Sequence, residues 1–332
     1  MIKIPENFIN KPKGYPKELE PKEIKKRFLS LLGEFKTPSV PLNIKVTDEK
    51  ILKGNIVKQK IEYDVESGER ISAFHLFPKN SSKNTPGIIS IHAHGGEDIF
   101  PVGKDYHCHP NPDDPVQYSY ILALSGFRVL APDSLCFGER QTKWGYSTYL
   151  FDEINAHMEL TARGKSLCWK SVWDNSRAIK VLEFLGAKSI GSIGWSGGST
   201  QAYILAAVNE KIKASVCFFS FMTLRHQFYQ YRLGHCLYHF IPGMIESGID
   251  WDQVVSLIPP RKIFLGWGAK DKGTPESMYK AFVNAIENRC RKENIPKSIF
   301  LHEELNCGHI ITKKMLKNAV NFLQINLKSI EK

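Results

Sequence analysis

The chain has no long apolar run. None of its stretches approaches the roughly 20 residues needed to span a bilayer, so no membrane partner is expected. Its first residues, Met1-Ile2-Lys3-Ile4-Pro5-Glu6, lack the apolar segment of a secretory signal, and a cytoplasmic location is expected on that ground. There is no C-x-x-C. The seven cysteines, an odd number, are scattered (Cys108, Cys136, Cys168, Cys217, Cys236, Cys290, Cys307), which suits a reduced compartment better than a disulfide framework. No internal repeat or low-complexity segment occurs, which excludes a solenoid.

Acidic residues are also short, leaving a net charge of +11. The excess is confined to the ends. Residues 1–60 carry 14 Lys/Arg against 7 Asp/Glu, residues 311–332 carry 5 against 1, and the stretch between is neutral. A nucleic-acid face would interleave Arg with aromatics. These ends are mostly Lys with Glu mixed in, so they read as solvated surface and no nucleic-acid partner is expected.

What is present is an ordinary globular composition: 332 residues, 42% hydrophobic and 24% charged, enough for one large α/β domain. Residues 1–54 read as an N-terminal extension, with a helix near 21–35, packed on a main domain at 55–332. Alternating runs at 56–64 and 70–77 flank a glycine turn and predict a β-hairpin. From residue 87 onward, short apolar runs alternate with helical stretches. Strands are expected at 87–92, 127–131, 188–193, 214–220, 262–267 and 298–303. Helices are expected at 117–125, 171–185, 199–208, 275–290 and 313–326. That alternation implies a mostly parallel, eight-stranded sheet with helices on both faces. Residues 221–260 break it. They hold Phe228, Tyr229, Tyr231, Tyr238 and Phe240, and read as a helical lid-type insertion.

The stretch around which the chain is organised is Gly194-Trp195-Ser196-Gly197-Gly198. It fits G-x-S-x-G, the nucleophile elbow, in which a serine sits at a strained strand-to-helix turn between small neighbours. The bare pattern arises by chance in roughly one chain of this length in ten at ordinary glycine frequencies. Context must carry it: a strand before, a helix after, then an acid and a histidine in that chain order. Asp271 follows the expected strand at 262–267, and His309, preceded by Gly308, follows the strand at 298–303. Ser196, Asp271 and His309 are therefore the candidate nucleophile, orienting acid and base. The oxyanion donors are expected to be the Gly197 amide and an amide of the His94-Gly95-Gly96 turn, Gly96 first and Gly95 next. Trp195 and His94 flank these positions and are candidate substrate-binding residues.

A rival reading lies in the same loop. His92-Ala93-His94 is an H-x-H at a strand end, with His107-Cys108-His109 nearby, and such pairs can hold zinc. A metal site of that kind would need further histidines at later strand ends. The later strands offer Ser196, Asp271 and His309 instead, so no metal is assigned. Glu139 and Arg140, after the strand at 127–131, are expected to form a buried pair bracing the loop.

The ordered set resembles the dienelactone hydrolase-like, acetyl xylan esterase-like branch of the α/β-hydrolases. The set comprises His94-Gly95-Gly96, Asp133 with Phe137-Gly138-Glu139-Arg140, Asp174 with Arg177-Ala178, and Gly194-Trp195-Ser196-Gly197-Gly198. Ile241-Pro242-Gly243-Met244, Leu257-Ile258-Pro259-Pro260-Arg261, Asp271 and Gly308-His309 complete it over about residues 55–325. The resemblance implies the α/β-hydrolase fold and a cofactor-independent serine hydrolase acting on a small-molecule carboxylic ester with a short acyl group such as acetyl. Dienelactone hydrolases proper carry cysteine where this chain has Ser196. A peptidase or amidase of the same fold, a metal-dependent hydrolase using His92 and His94, and a silent fold used for binding are the alternatives. A homo-oligomer is compatible with the sequence.

Overall fold

A computed structural model describes residues 19–33, 40–82, 84–95, 103–141, 149–228 and 237–327. Nine strands among them form one sheet: β1 (Lys45–Leu52), β2 (Ile56–Glu66), β3 (Glu69–Pro78), β4 (Gly87–Ile91), β5 (Arg128–Pro132), β6 (Ile190–Trp195), β7 (Ile212–Phe218), β8 (Lys262–Gly268) and β9 (Ile299–Glu304). Their spatial order is β1-β2-β3-β5-β4-β6-β7-β8-β9. Pairing is antiparallel from β1 to β5 and parallel from β5 to β9.

The sheet has nine strands where the sequence predicts eight. The added strand is β1, KVTDEKIL, seven of whose eight residues are exposed. An edge strand exposed along almost its whole length needs no apolar alternation. Its register comes from backbone bonds to β2, and its charges guard the open edge. The central strands behave in the opposite way. Every residue of β4, β5 and β6 is buried, so both faces of the sheet are covered, and apolar runs are what such strands require.

The helices are α1 (Pro21–Leu32), α2 (Tyr118–Leu124), α3 (Tyr149–Ala162), α4 (Leu167–Phe184), α5 (Gly197–Val208), α6 (Leu224–His226), α7 (Trp251–Val255), α8 (Glu276–Lys292) and α9 (Lys313–Leu327). The amphipathic α1 buries Ile24, Phe28 and Leu32, with Phe28 edge-on to Trp251 at 5.6 Å. The first turn of α4 begins earlier than its apolar spacing suggests, because the Ser166 hydroxyl caps it by accepting from the Trp169 amide at 3.0 Å. Helix α3 has no counterpart among the sequence expectations. The insertion at 221–260 contains α6, a 3₁₀ turn at Leu237–His239 and α7, so its described part is mostly irregular. Tyr229, Tyr231 and Cys236 lie outside the described residues. Among the described residues no helix is long and apolar enough to cross a membrane.

Candidate active site

Strand β6 delivers the chain into a turn that only small residues permit. Ser196 has φ 55° and ψ −122°, a conformation that costs a non-glycine residue about 1–3 kcal/mol. A Cβ on Gly194 would collide with the Gly198 carbonyl and come within 2.7 Å of the Ser199 amide nitrogen. A Cβ on Gly198 would strike the carbonyls of Ile91 and His92. These two glycines thus let α5 start directly against the end of β4. The turn is pinned by the Ser196 amide donating to the Phe218 carbonyl at 2.9 Å and the Ser199 hydroxyl donating to Phe219 at 2.7 Å. Ser196 is half-buried, and its hydroxyl rises at the N-terminus of a helix, where free amides and the helix dipole favour negative charge.

Asp271 and His309 come from the loops after β8 and β9. These loops are laced together: Ala269 donates to the Glu304 carbonyl at 3.0 Å and Lys270 to the Cys307 carbonyl at 2.9 Å. Gly268 is pressed so closely on the Cys307 and Gly308 carbonyls that no side chain fits there. The His309 Nδ1–H donates to Asp271 Oδ2 at 3.0 Å, and the Gly273 amide donates to Oδ1 at 2.9 Å. The Asp271 side chain is 2% exposed and that of His309 36%. Burial pushes the Asp271 carboxyl up. The hydrogen bond and charge of His309, with Gly273 and Thr274, outweigh this and hold it below the ordinary carboxylate range.

Aromatic rings flank the imidazole. The His309 ring lies 6.0 Å from that of Trp195, the residue before Ser196, and 4.9 Å from that of Phe219. Phe219 and Ser220 adopt φ 65° and 58° without a glycine to announce it. Tyr106 stacks on Trp195 at 6.0 Å, adding a third wall. Trp195 itself is 8% exposed, and its indole N–H has no hydrogen-bond partner among the described residues. Nothing in the sequence pattern singled out Tyr106 or Phe219.

The Gly197 amide opens α5, and a Cβ on Gly197 would lie 2.8 Å from the His94 Cβ. The turn predicted to supply the second oxyanion donor therefore abuts the elbow. Gly95 in that turn has φ 86°, within the left-handed region that glycine tolerates. Gly96 lies outside the described residues. His94 Nε2 is hydrogen-bonded to Glu153 of α3. His92 is buried, donating from Nδ1 to the Ala93 carbonyl at 2.7 Å and accepting at Nε2 from the Ser134 amide at 3.0 Å. Burial holds its pKa below the ordinary imidazole value. Both of its ring nitrogens are committed, so the H-x-H pair does not converge on a common point. Among the described residues no group of three or more His, Cys, Asp or Glu is arranged to hold a metal.

Glu139 and Arg140 do not pair with each other as expected. Glu139 bonds Lys104 at 2.7 Å and Lys60 at 2.5 Å. Burial alone would raise its carboxyl, but these cations and Ser72 hold it down at about 2. Arg140 instead bridges Glu69 and Asp174. Adjacent residues of a 3₁₀ turn point in different directions, and each finds a partner from another element. Lys104, 1% exposed, also bonds the buried Asp133, tying the loop that carries Tyr106 to the end of β5.

No protein-family profile matches the chain. A protein of Bacillus subtilis (strain 168) named "Putative hydrolase YtaP" is 25% identical over 265 residues, covering 76% of this chain and 82% of that protein. Among solved structures, a glucuronoyl esterase from Solibacter usitatus superposes with a TM-score of 0.65 at 14% identity, over 92% of each chain. Acetyl xylan esterase 1 from a Thermoanaerobacterium species gives 0.61 at 14% identity, over 96% of this chain and 95% of that one. With a mostly parallel sheet, a strand-turn-helix elbow at its centre and these structural likenesses, the chain has the α/β-hydrolase fold.

Proposed function

We propose that the protein is a serine hydrolase that cleaves carboxylic esters with a short acyl group, acetyl foremost. The observation that carries this reading is the Asp271–His309 pair held at 3.0 Å, with the imidazole ring 6.0 Å from that of Trp195, the residue before a strained serine at a helix N-terminus. His309 Nδ1 gives its proton to the Asp271 hydrogen bond, so Nε2 is the free base. It takes the proton of Ser196 Oγ as Oγ attacks the ester carbonyl. The Gly197 amide and an amide of the turn after His92 receive the developing oxyanion, and losing one such donor costs on the order of 3 kcal/mol of barrier. The alcohol leaves with the proton from His309. Water, deprotonated by the same imidazole, then attacks the acyl-serine and releases the acid.

The short-acyl reading rests on crowding. Trp195 and Phe219 lie against the His309 ring and Tyr106 stacks on Trp195, so aromatic rings crowd one side of the base. The esterases among the structural relatives support ester over amide. The test is labelling with a fluorophosphonate, read by mass spectrometry, beside hydrolysis of p-nitrophenyl acetate, butyrate and octanoate. Labelling of Ser196, its loss in Ser196→Ala and a preference for acetate are expected. A folded wild-type protein that neither labels nor hydrolyses any of the three would overturn the reading.

A further inference from the structure

We infer that Glu153 is a positioning residue that acts through His94 to hold the oxyanion turn against the elbow; this rests on the serine hydrolase reading above. Glu153 lies in α3, and its side chain is fully buried. Its Oε2 is bonded to His94 Nε2, and its Oε1 accepts from the Leu237 amide at 3.3 Å. A carboxylate only accepts, so His94 carries its proton on Nε2. One side chain therefore ties three separate segments: the turn after β4, helix α3 and the 3₁₀ turn of the insertion.

The tie matters because of where His94 sits. Its backbone nitrogen and Cβ form the wall that a Cβ on Gly197 would meet, at 3.2 and 2.8 Å. Any shift of His94 is thus a shift of the turn relative to the Gly197 amide. The next residue, Gly95, has φ 86° and no side chain to pack, so it adds no side-chain anchor of its own to the turn. The ring also lies edge-on to Phe137 at 5.3 Å. Helix α3 has an adequate apolar anchor in Ala156 and Leu160, which pack on the cluster of Cys136, Phe137, Leu167 and Tyr238. Docking the helix therefore does not require a buried acid. A carboxylate aimed at the histidine beside Gly197 does serve a turn that must stay in register.

The experiment compares wild type, Glu153→Gln and Glu153→Ala. Glu153→Gln keeps the volume and an oxygen for the His94 Nε2–H, which guards against a variant that fails to fold. In pre-steady-state hydrolysis of p-nitrophenyl acetate, the acylation rate of Glu153→Ala is expected to fall roughly 10- to 100-fold, with KM changed far less, because the loss is one of alignment. Glu153→Gln should recover most of that rate. Nitrogen spectra of histidine-labelled protein should place the His94 proton on Nε2 in wild type and Glu153→Gln, and show tautomer exchange in Glu153→Ala. An acylation rate in Glu153→Ala equal to wild type, or one that falls only in proportion to the folded fraction, overturns the inference. So does a wild-type His94 protonated on Nδ1 alone. If wild type forms no acyl-enzyme, the ester reading falls, and the nitrogen spectra then decide by themselves whether Glu153 fixes His94.

Discussion

Replacing Asp271 with asparagine removes a charge while keeping the shape, and the structure says what that should do. The carboxylate accepts from His309 Nδ1 at 3.0 Å and from the Gly273 amide at 2.9 Å, and it is almost entirely buried. In Asp271→Asn the remaining oxygen can keep Gly273. The new amide nitrogen then faces His309 and must donate, which turns the imidazole to the tautomer with its proton on Nε2. That nitrogen can no longer accept the proton of Ser196. The imidazolium formed in the transition state also loses its counter-charge. At about 4 Å and an effective dielectric of about 20, that charge pair is worth about 4 kcal/mol, so kcat/KM should fall roughly a thousandfold. The assay is p-nitrophenyl acetate hydrolysis across pH, with thermal melts on the same samples. A folded Asp271→Asn that keeps more than about a tenth of wild-type kcat/KM would refute the assignment, since wrong-tautomer variants of such triads lose several decades. The melts give a second reading. Because the folded state holds the Asp271 carboxyl below its ordinary value, its stabilising contribution is complete above about pH 4, the unfolded value, and is lost as pH falls through the lowered one. Wild type should therefore lose melting temperature in acid more steeply than Asp271→Asn.

Other expectations follow from the same geometry. Gly194→Ala drives a methyl into the Gly198 carbonyl, with backbone on both sides of the clash; it should either misfold or displace the elbow, losing fluorophosphonate labelling in any folded fraction. Lys104→Met strips the buried Asp133 of its cation and should cost about 3–5 kcal/mol in denaturant unfolding, with Lys104→Met/Asp133→Asn recovering a large part. Because the ring nitrogens of His92 are committed to Ala93 and Ser134, EDTA treatment should leave ester hydrolysis unchanged. Loss on chelation with recovery on added zinc would contradict that.

The parts of the molecule visible in the sequence are those whose demands fall on residue type at fixed short spacing. The elbow needs small residues two before, one after and two after Ser196, and the collisions at Gly194 and Gly198 show why. Strands β4 and β6 read as runs of apolar and small residues because both faces are covered. Asp271 and His309 could be chosen because chain order and strand ends restrict the choices to a few. The unseen parts have other causes. Strand β1 is held by backbone bonds along a charged, exposed edge, which leaves no apolar pattern to read. Phe219 and Ser220 adopt left-handed backbone at ordinary residues, the strain being carried by bonds to Gly266 and Thr274 from neighbouring segments.

The ion pairs make the limit sharper. Glu139 and Arg140 are adjacent in sequence and opposite in charge, yet Glu139 serves Lys60 and Lys104, while Arg140 serves Glu69 and Asp174. Glu153 meets His94 across 59 positions. Each of these bonds depends on which segments the sheet order places side by side, and a long polar side chain carries no periodic signature of its partner. The chemistry that must sit within one turn of Ser196 was therefore open to inspection in the sequence. The framework that keeps that chemistry aligned becomes visible only when helix α3 and the ends of β4 and β5 are seen together. Since a misalignment of about 1 Å can cost a hundredfold in rate, substitutions in that framework should slow acylation by about 10- to 100-fold, short of the roughly thousandfold loss expected at Asp271.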